Sequence, residues 1–313
     1  MLKVIYMSNG TFGIPTLKYL IKKKIKINYI VTSLKKYINN KLNFIKKLAT
    51  KNNINLINSN DINKKKSIYK IIKSKPNLLI LISFKIISKN IWGKIKTINI
   101  HPSLLPYYRG PCPINWVIIN GEKITGLTSF FVNDSIDNGK IILQKKIKLK
   151  KKITFEKLYK KLSKLTPIFL KKTLLILKKK KKKKYNIKLK NNIPYSPKIN
   201  YYYRKIYLLL YNESYIQNLI LGLSSISPAW CYINTFNNIT IIYINKINLN
   251  LNLNLYKYNN LKIGYLLYKN NKIFLKTKNY FIELLICRLF NKKKMNCLDL
   301  YNGLPNKENI FLF

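Results

Sequence analysis

The sequence predicts a doubly wound α/β domain followed by a small all-β domain. Short apolar runs alternate with helix-length amphipathic stretches through the first half of the chain. An unbroken lysine run then interrupts the pattern. Beyond it, the apolar spacing changes to period two.

In the first half, Lys3–Met7, Asn28–Thr32, Ile54–Ile57, Leu78–Phe84 and Thr97–Ile100 read as buried strands. Pro15–Lys23, Leu42–Lys51 and Lys64–Lys73 have helical spacing, with Pro15 suited to a first helical position. Two further strands, Gly126–Val132 and Ile141–Lys148, precede a long amphipathic helix from Thr154 to about Leu177. That alternation predicts a parallel sheet. Lys178–Lys184 repels itself, so it ends the helix and stays solvated. The stretch that follows, with Asn191, Asn192, Pro194 and Pro197, reads as a linker.

After the linker, Glu213–Leu223 reads as a helix. Ile247, Leu249, Leu251, Leu253 and Leu255 then alternate with polar residues, the pattern of a strand with one buried face. Ile263–Tyr268, Lys272–Lys276 and Phe281–Leu289 continue as strands, enough for a small barrel or sandwich. The expected division is 1–180, a basic linker 181–203, and 204–313.

Composition narrows the function classes. The formal charge is +52, from 61 Lys and Arg against nine Asp and Glu. Only Arg109, Arg204 and Arg288 are arginine, although guanidinium is the preferred bidentate phosphate ligand. Lys, Ile, Asn and Tyr share A/T-rich codons, so the charge permits a polyanionic partner without identifying one. The four cysteines are scattered and form neither a disulfide framework nor a zinc motif. The opening residues lack an extended apolar stretch and a cleavage site, and no apolar run is long enough to span a bilayer. A soluble cytoplasmic protein without membrane or metal is expected.

His101 is the single histidine. It ends the strand 97–101, where doubly wound sheets place ligands. Alternation puts Asn99 on the same face. A rigid turn, Pro102–Pro106, and then Arg109-Gly110 follow directly. Asp137 lies in Ser135-Ile136-Asp137-Asn138-Gly139, a loop between two strands. A carboxylate there is ordinarily a turn residue, but acids are scarce enough to make it a candidate. Asp134, close by, reads as a surface turn acid.

Together, the segments Asn-Ile-His-Pro-Ser-Leu-Leu-Pro (99–106), Tyr-Arg-Gly-Pro-Cys-Pro-Ile-Asn-Trp (108–116), Asn-Gly-Glu-Lys-Ile-Thr-Gly-Leu-Thr (120–128) and Ile-Asp-Asn-Gly-Lys-Ile-Ile (136–142) resemble the methionyl-tRNA formyltransferase family. Pro15-Thr16-Leu17, Ser83–Ile87, Pro197-Lys198-Ile199, Gly222-Leu223-Ser224, Ala229-Trp230 and Lys293-Lys294-Met295 extend the likeness over nearly the whole chain. The resemblance implies a Rossmann-like formyltransferase domain followed by an OB-like barrel that binds tRNA. It implies that a monomer transfers the formyl group of 10-formyltetrahydrofolate to the amino group of initiator methionyl-tRNA. Asn99, His101 and Asp137 would be the catalytic set, and Ser103, Leu104, Leu105 and Pro106 the folate-binding segment. Arg109 would contact substrate or pair with an acid. The loop Leu34–Asn43 is short and lacks the family's Gly-Arg-Gly segment. Two other readings are formylation of a small amine, such as an amino sugar nucleotide or glycinamide ribonucleotide, and an inactive polycationic RNA-binding protein.

Overall fold

The computed structural model describes residues 2–34, 42–179, 192–223, 227–235, 238–249, 258, 260–304 and 310–313. Most of the loop 34–43, the lysine run beyond Lys179, Ser224, and Leu251, Leu253 and Leu255 lie outside these residues. The chain divides into two units. One comprises 1–113, 123–149 and 157–196, and the other 114–122, 150–156 and 197–313. This division differs from a simple cut near residue 180. A helix from the middle of the chain joins the second unit, and residues 192–196 belong to the first.

In the first unit the elements are β1 (Lys3–Ser8), α1 (Ile14–Lys22), β2 (Lys26–Thr32), α2 (Leu42–Lys51), β3 (Asn55–Asn58), α3 (Lys65–Lys73), β4 (Leu78–Ile82), α4 (Lys89–Trp92) and β5 (Thr97–His101). After α5 (Pro113–Ile119) come β6 (Ile124–Phe131), β7 (Ile141–Lys148) and α6 (Phe155–Lys178). The sheet order is β3-β2-β1-β4-β5-β6-β7. The first five strands are parallel, and the order reverses between β1 and β4, the doubly wound arrangement. The two further strands extend the parallel sheet at one edge, where β6 runs antiparallel to β5 and β7 antiparallel to β6. Only nine residues separate β6 from β7, too few for a parallel crossover, so the chain turns back on itself.

Alternation assigns the sheet faces. Ile5 and Met7 of β1, with Leu79 and Leu81 of β4, pack with Ile71 of α3 and Ile91 of α4. On the opposite face, the Tyr6 hydroxyl donates to the Gly13 carbonyl at the start of α1. The Thr16 and Thr166 hydroxyls join α1 to α6 at 2.6 Å. Ser163 of α6 also donates to the Phe12 carbonyl at 2.7 Å. These bonds tie α1 and α6 to one another and α1 to β1.

The second unit contains α7 (Glu213–Gly222), β8 (Ala229–Thr235), β9 (Asn238–Asn248), β10 (Leu266–Lys269), β11 (Lys272–Lys276), β12 (Phe281–Leu289), β13 (Met295–Asn296), α8 (Cys297–Asn302) and β14 (Phe311–Leu312). Its sheet runs β10-β11-β12-β9-β8-β14. A bridge between Tyr265, just before β10, and Phe311 of β14 joins the two ends of this order. The Leu266 amide donates to the Ile310 carbonyl, and the Leu312 amide to the Gly264 carbonyl. The sheet thus closes into a small barrel and leaves no free edge along this path. Ala229, Cys231, Ile233, Ile242, Ile244, Ile282, Leu284 and Cys287 point inward. The three buried cysteines are free thiols, packed as small apolar side chains.

Among the described residues no helix is long and apolar enough to cross a membrane. The barrel holds one conspicuous acid. Glu213 opens α7, and its Oε1 accepts from the Thr277 hydroxyl at 2.6 Å and the Asn279 amide at 3.1 Å. Burial pushes its carboxyl up, but the Thr277, Asn279 and Tyr280 hydrogen bonds outweigh burial and hold it below the ordinary value of 4.5. The stabilisation is complete above the unfolded-state value and is lost as pH falls through the lower folded-state value. The melting temperature of the full chain should therefore drop on acidification below about pH 4.5. Glu213→Gln should lower it at neutral pH and flatten that acid limb, as followed by thermal unfolding across a pH series.

Candidate functional site

The carboxyl ends of β4 and β5 open on a cavity of about 740 Å³. Its walls are mainly apolar: Phe84, Ile86 and Ile87 from the segment after β4, Trp92 of α4, and Phe130 and Val132 from the end of β6. Asn99, Gly110 and the loop Asn133–Asp137 supply polar atoms. Lys85, Lys89, Asp134 and Tyr195 complete the rim, and the Lys89 ammonium pairs with Asp134 at 3.6 Å.

Asn99 reaches the cavity because it sits two residues before the end of β5, opposite Phe130 of β6. Its Oδ1 is shut off from solvent and has no hydrogen-bond partner within the fold. A buried, unpartnered amide oxygen carries a desolvation cost of about 1–3 kcal/mol, which a bound donor relieves.

His101 lies two residues on and does not line the cavity itself; it stands behind Asp137. Its Nε2 is 2.8 Å from the Tyr108 carbonyl. A carbonyl only accepts, so Nε2 carries a hydrogen and Nδ1 faces the other way. Nδ1 is 3.5 Å from Asp137 Oδ2, with both side chains largely buried at 6% and 13% exposure. The same Oδ2 accepts the Gly110 amide at 3.0 Å. Three segments distant in sequence thus meet at one carboxylate oxygen.

The local backbone is bent to permit this. Ser83, Tyr108 and Asp137 adopt left-handed φ values of 50°, 59° and 48°, uncommon for residues with side chains. Gly110, at φ 114°, leaves no room for a Cβ, which would lie 2.7 Å from the Ser196 carbonyl and 2.8 Å from the Tyr195 ring. The Ser196 amide donates to the Arg109 carbonyl, and the Tyr108 amide to the Pro194 carbonyl, so residues 194–196 brace the loop after β5. This segment was read as linker, yet it is part of the site's scaffold. The same pairing anchors Arg109 through its main chain. Gly139 is equally constrained, because a Cβ there would collide with the Phe131 carbonyl.

The structure brings together Asn99, His101 and Asp137. Ser103, Leu104, Leu105 and Pro106 leave β5 directly and are not among the residues that line this cavity. The Ser103 hydroxyl donates to the Tyr107 carbonyl, and the Thr128 hydroxyl to the Ser103 carbonyl. The Leu105 amide donates to Thr128 Oγ1, and Gln144 Nε2 to the Leu105 carbonyl. These bonds shape the loop that carries Tyr108 and Gly110. Phe84–Ile87 and Asn133–Asp137 supply much of the cavity wall. Asp134, read as a surface acid, is exposed but sits on the cavity rim. Trp92 and Tyr195 carried no signal in the sequence. Among the described residues no group of three or more His, Cys, Asp or Glu side chains is placed to hold a metal ion.

Residues 3–174 match the formyl transferase family model. A methionyl-tRNA formyltransferase from Flavobacterium johnsoniae is 30% identical, over 97% of this chain and 96% of its own length. The bifunctional polymyxin resistance protein ArnA of Wigglesworthia glossinidia brevipalpis is 31% identical over 96% of this chain but only 46% of its own. Among solved structures, the sugar 3N-formyl transferase WlaRD, crystallised with dTDP and 5-N-formyl-THF, superposes with a TM-score of 0.62 at 20% identity, covering 94% of this chain and 99% of that one. HypX from Aquifex aeolicus, in complex with tetrahydrofolic acid, gives 0.62 at 15% identity, over 99% of this chain and 50% of that one.

Gly110→Ala should displace the Asp137 carboxylate through the lost amide contact and the crowding at Ser196. A shift of about 1 Å at a reacting group costs about 10²-fold. A fall of that size in kcat, measured well below the lowered melting temperature that the strained φ and the crowding bring, is the expected result. Unaltered kcat would remove Gly110 from the site.

Proposed function

The chain belongs to the methionyl-tRNA formyltransferase family, and on that premise we propose that it moves the formyl group of 10-formyltetrahydrofolate onto the amino group of initiator methionyl-tRNA. The observation that carries this reading is the meeting of Asn99 with the His101–Asp137 pair beside a largely apolar cavity. The residues present fit such a donor. Phe84, Ile87, Trp92 and Val132 offer apolar surface to a flat ring system, and the orphaned Asn99 Oδ1 is an acceptor for a bound N–H.

The donor supplies an activated formyl carbon held on nitrogen. Transfer breaks that carbon–nitrogen bond and forms one to the methionyl nitrogen, and the amine's proton ends on the departing nitrogen. The amine must be neutral to attack, and negative charge develops on the formyl oxygen. In this reading Asn99 Nδ2 donates to that oxygen, while Asn99 Oδ1 accepts from the incoming amine and orients it. Asp137 lines the cavity and takes part in moving the amine's proton. His101 cannot turn freely, because the Tyr108 carbonyl holds Nε2–H, so Nδ1 stays directed at Asp137 Oδ2. The imidazole thereby positions the carboxylate and stabilises charge beside the cavity.

Formylation of an amino sugar is the second reading, since the sugar 3N-formyl transferase WlaRD shares the fold. Purified protein given labelled 10-formyltetrahydrofolate should label charged initiator tRNA in preference to amino sugar nucleotides and glycinamide ribonucleotide. The opposite preference would overturn the tRNA reading. Asn99→Ala should lower single-turnover transfer by about 10²–10³, the usual cost of one oxyanion donor. Asp137→Asn should also slow it, with donor binding retained. Wild-type rates in both variants, with intact folding, would remove them from the chemistry.

A further inference from the structure

The outer surface of the barrel carries a row of planar and cationic side chains with no part in the reaction described above. Strand register sets the row. Arg288 of β12 lies opposite Tyr243 of β9, Tyr243 opposite Trp230 of β8, and Trp230 bridges to Lys205 in the segment before α7. These positions alternate with Cys231, Ile242 and Cys287, which fill the core, so the row faces outward. Cations stand over rings at both ends of the row. The Arg288 guanidinium lies 4.5 Å from the Tyr243 ring centre. The Lys205 ammonium lies 5.7 Å from Trp230 and 4.8 Å from Tyr232.

A second layer has begun to stack on this row. The Tyr201 ring lies on Trp230 with centres 4.2 Å apart and 27° between planes, and the Trp230 indole N–H donates to the Tyr201 carbonyl. Trp230 is thereby buried, whereas Tyr201 keeps 38% of its surface and Tyr202 73%. The Arg204 guanidinium is 5.4 Å from the Tyr201 ring. No carboxylate belongs to the row or to the segment Tyr201–Tyr207.

The arginines are the telling part. The chain has three among 61 basic residues, and two of them stand against aromatic rings on this surface. A gene rich in A/T codons places lysine wherever charge alone suffices. A planar cation kept twice beside rings points to stacking, which guanidinium does and ammonium does not. Aromatic faces with cations and no acids suit a ligand with both flat rings and negative charge, which is unpaired nucleic acid.

We infer that the outer face of β8, β9 and β12, with the segment Tyr201–Tyr207, binds RNA by stacking an unpaired base on Tyr201. This deepens the tRNA reading, on which it rests, by assigning base stacking rather than phosphate attraction alone to the second unit. Phosphates flanking the stacked base pair with Lys205, Arg204 and Arg288.

The test uses the full chain and two labelled probes, an adenosine hexaribonucleotide and an RNA duplex of the same total charge. Binding is followed by anisotropy across a potassium chloride series. The wild type should bind the single strand more tightly than the duplex. Tyr201→Ala should weaken the hexamer about tenfold, as expected for loss of one stacked base. The slope of affinity against salt should not change, because no charge is removed. Duplex binding should be untouched, and Tyr201→Phe should behave as wild type. Arg288→Lys, which keeps charge but loses the plane, should also weaken the hexamer selectively and serves if Tyr201→Ala does not fold. Equal affinity for the two probes, an equal loss on both, or no loss in either variant overturns the inference. Formylation of charged initiator tRNA by the wild type is measured alongside. If that succeeds while the stacking variants bind normally, only this inference falls; if it fails, the tRNA reading falls.

Discussion

One oxygen atom organises the first unit's site. Asp137 Oδ2 takes the Gly110 amide and faces His101 Nδ1, so the end of β5, the loop after it and the β6–β7 loop are tied at a single point. The two loops are bent against local preference, with left-handed backbone at Tyr108 and Asp137 and a glycine at 110 where no side chain fits. Such bends persist because the surrounding packing and hydrogen bonds over-determine them. The apolar cavity is a consequence: once the β6–β7 loop is pinned, Val132 and Ile136 face Phe84 and Ile87 across it.

The polar chemistry is notable for how few acids it uses. With nine carboxylates against 61 basic side chains, any accessible acid attracts a lysine. Asp61, Asp134 and Glu283 do so. Asp137 and Glu213 are held otherwise. A backbone amide and an imidazole adjoin the first, and a hydroxyl and a backbone amide the second. Burial keeps ammonium groups away and leaves the geometry to directed hydrogen bonds. A lysine on Asp137 would screen it from any reacting amine. The same logic separates diffuse from directed recognition on the barrel, where lysines spread charge and two arginines keep a fixed plane.

Much of the first unit was legible in the residues. The seven strands and the long helix followed from apolar runs and their spacing, and boundaries moved by only one or two residues, as from Lys3–Met7 to Lys3–Ser8. Asn99 and His101 could be placed on one face because alternation in a strand is geometric. The four-residue α4 and the two-residue β13 and β14 were not legible, because pieces so short have no period to read. The helix α5 and the strand β8 were missed as well. The antiparallel edge at β6 and β7 depends on pairing, which single-strand patterns do not encode. The walls of the cavity were also hidden, since Phe84, Trp92 and Tyr195 come from separate segments and are ordinary core or surface residues by local criteria.

By itself the sequence determined the alternating architecture, the barrel-like second unit, the excess of positive charge and the three polar residues worth following. Those are properties of periodicity, composition and ordered motifs, which survive in one dimension. Tertiary structure alone decided that Thr128 and Gln144 tie down the turn Ser103–Pro106, that residues 194–196 brace the site, and that Arg288, Tyr243, Trp230 and Lys205 form one row. The reason is physical: hydrogen-bond satisfaction and cross-strand register are relations between distant segments, and no local stretch of chain contains them.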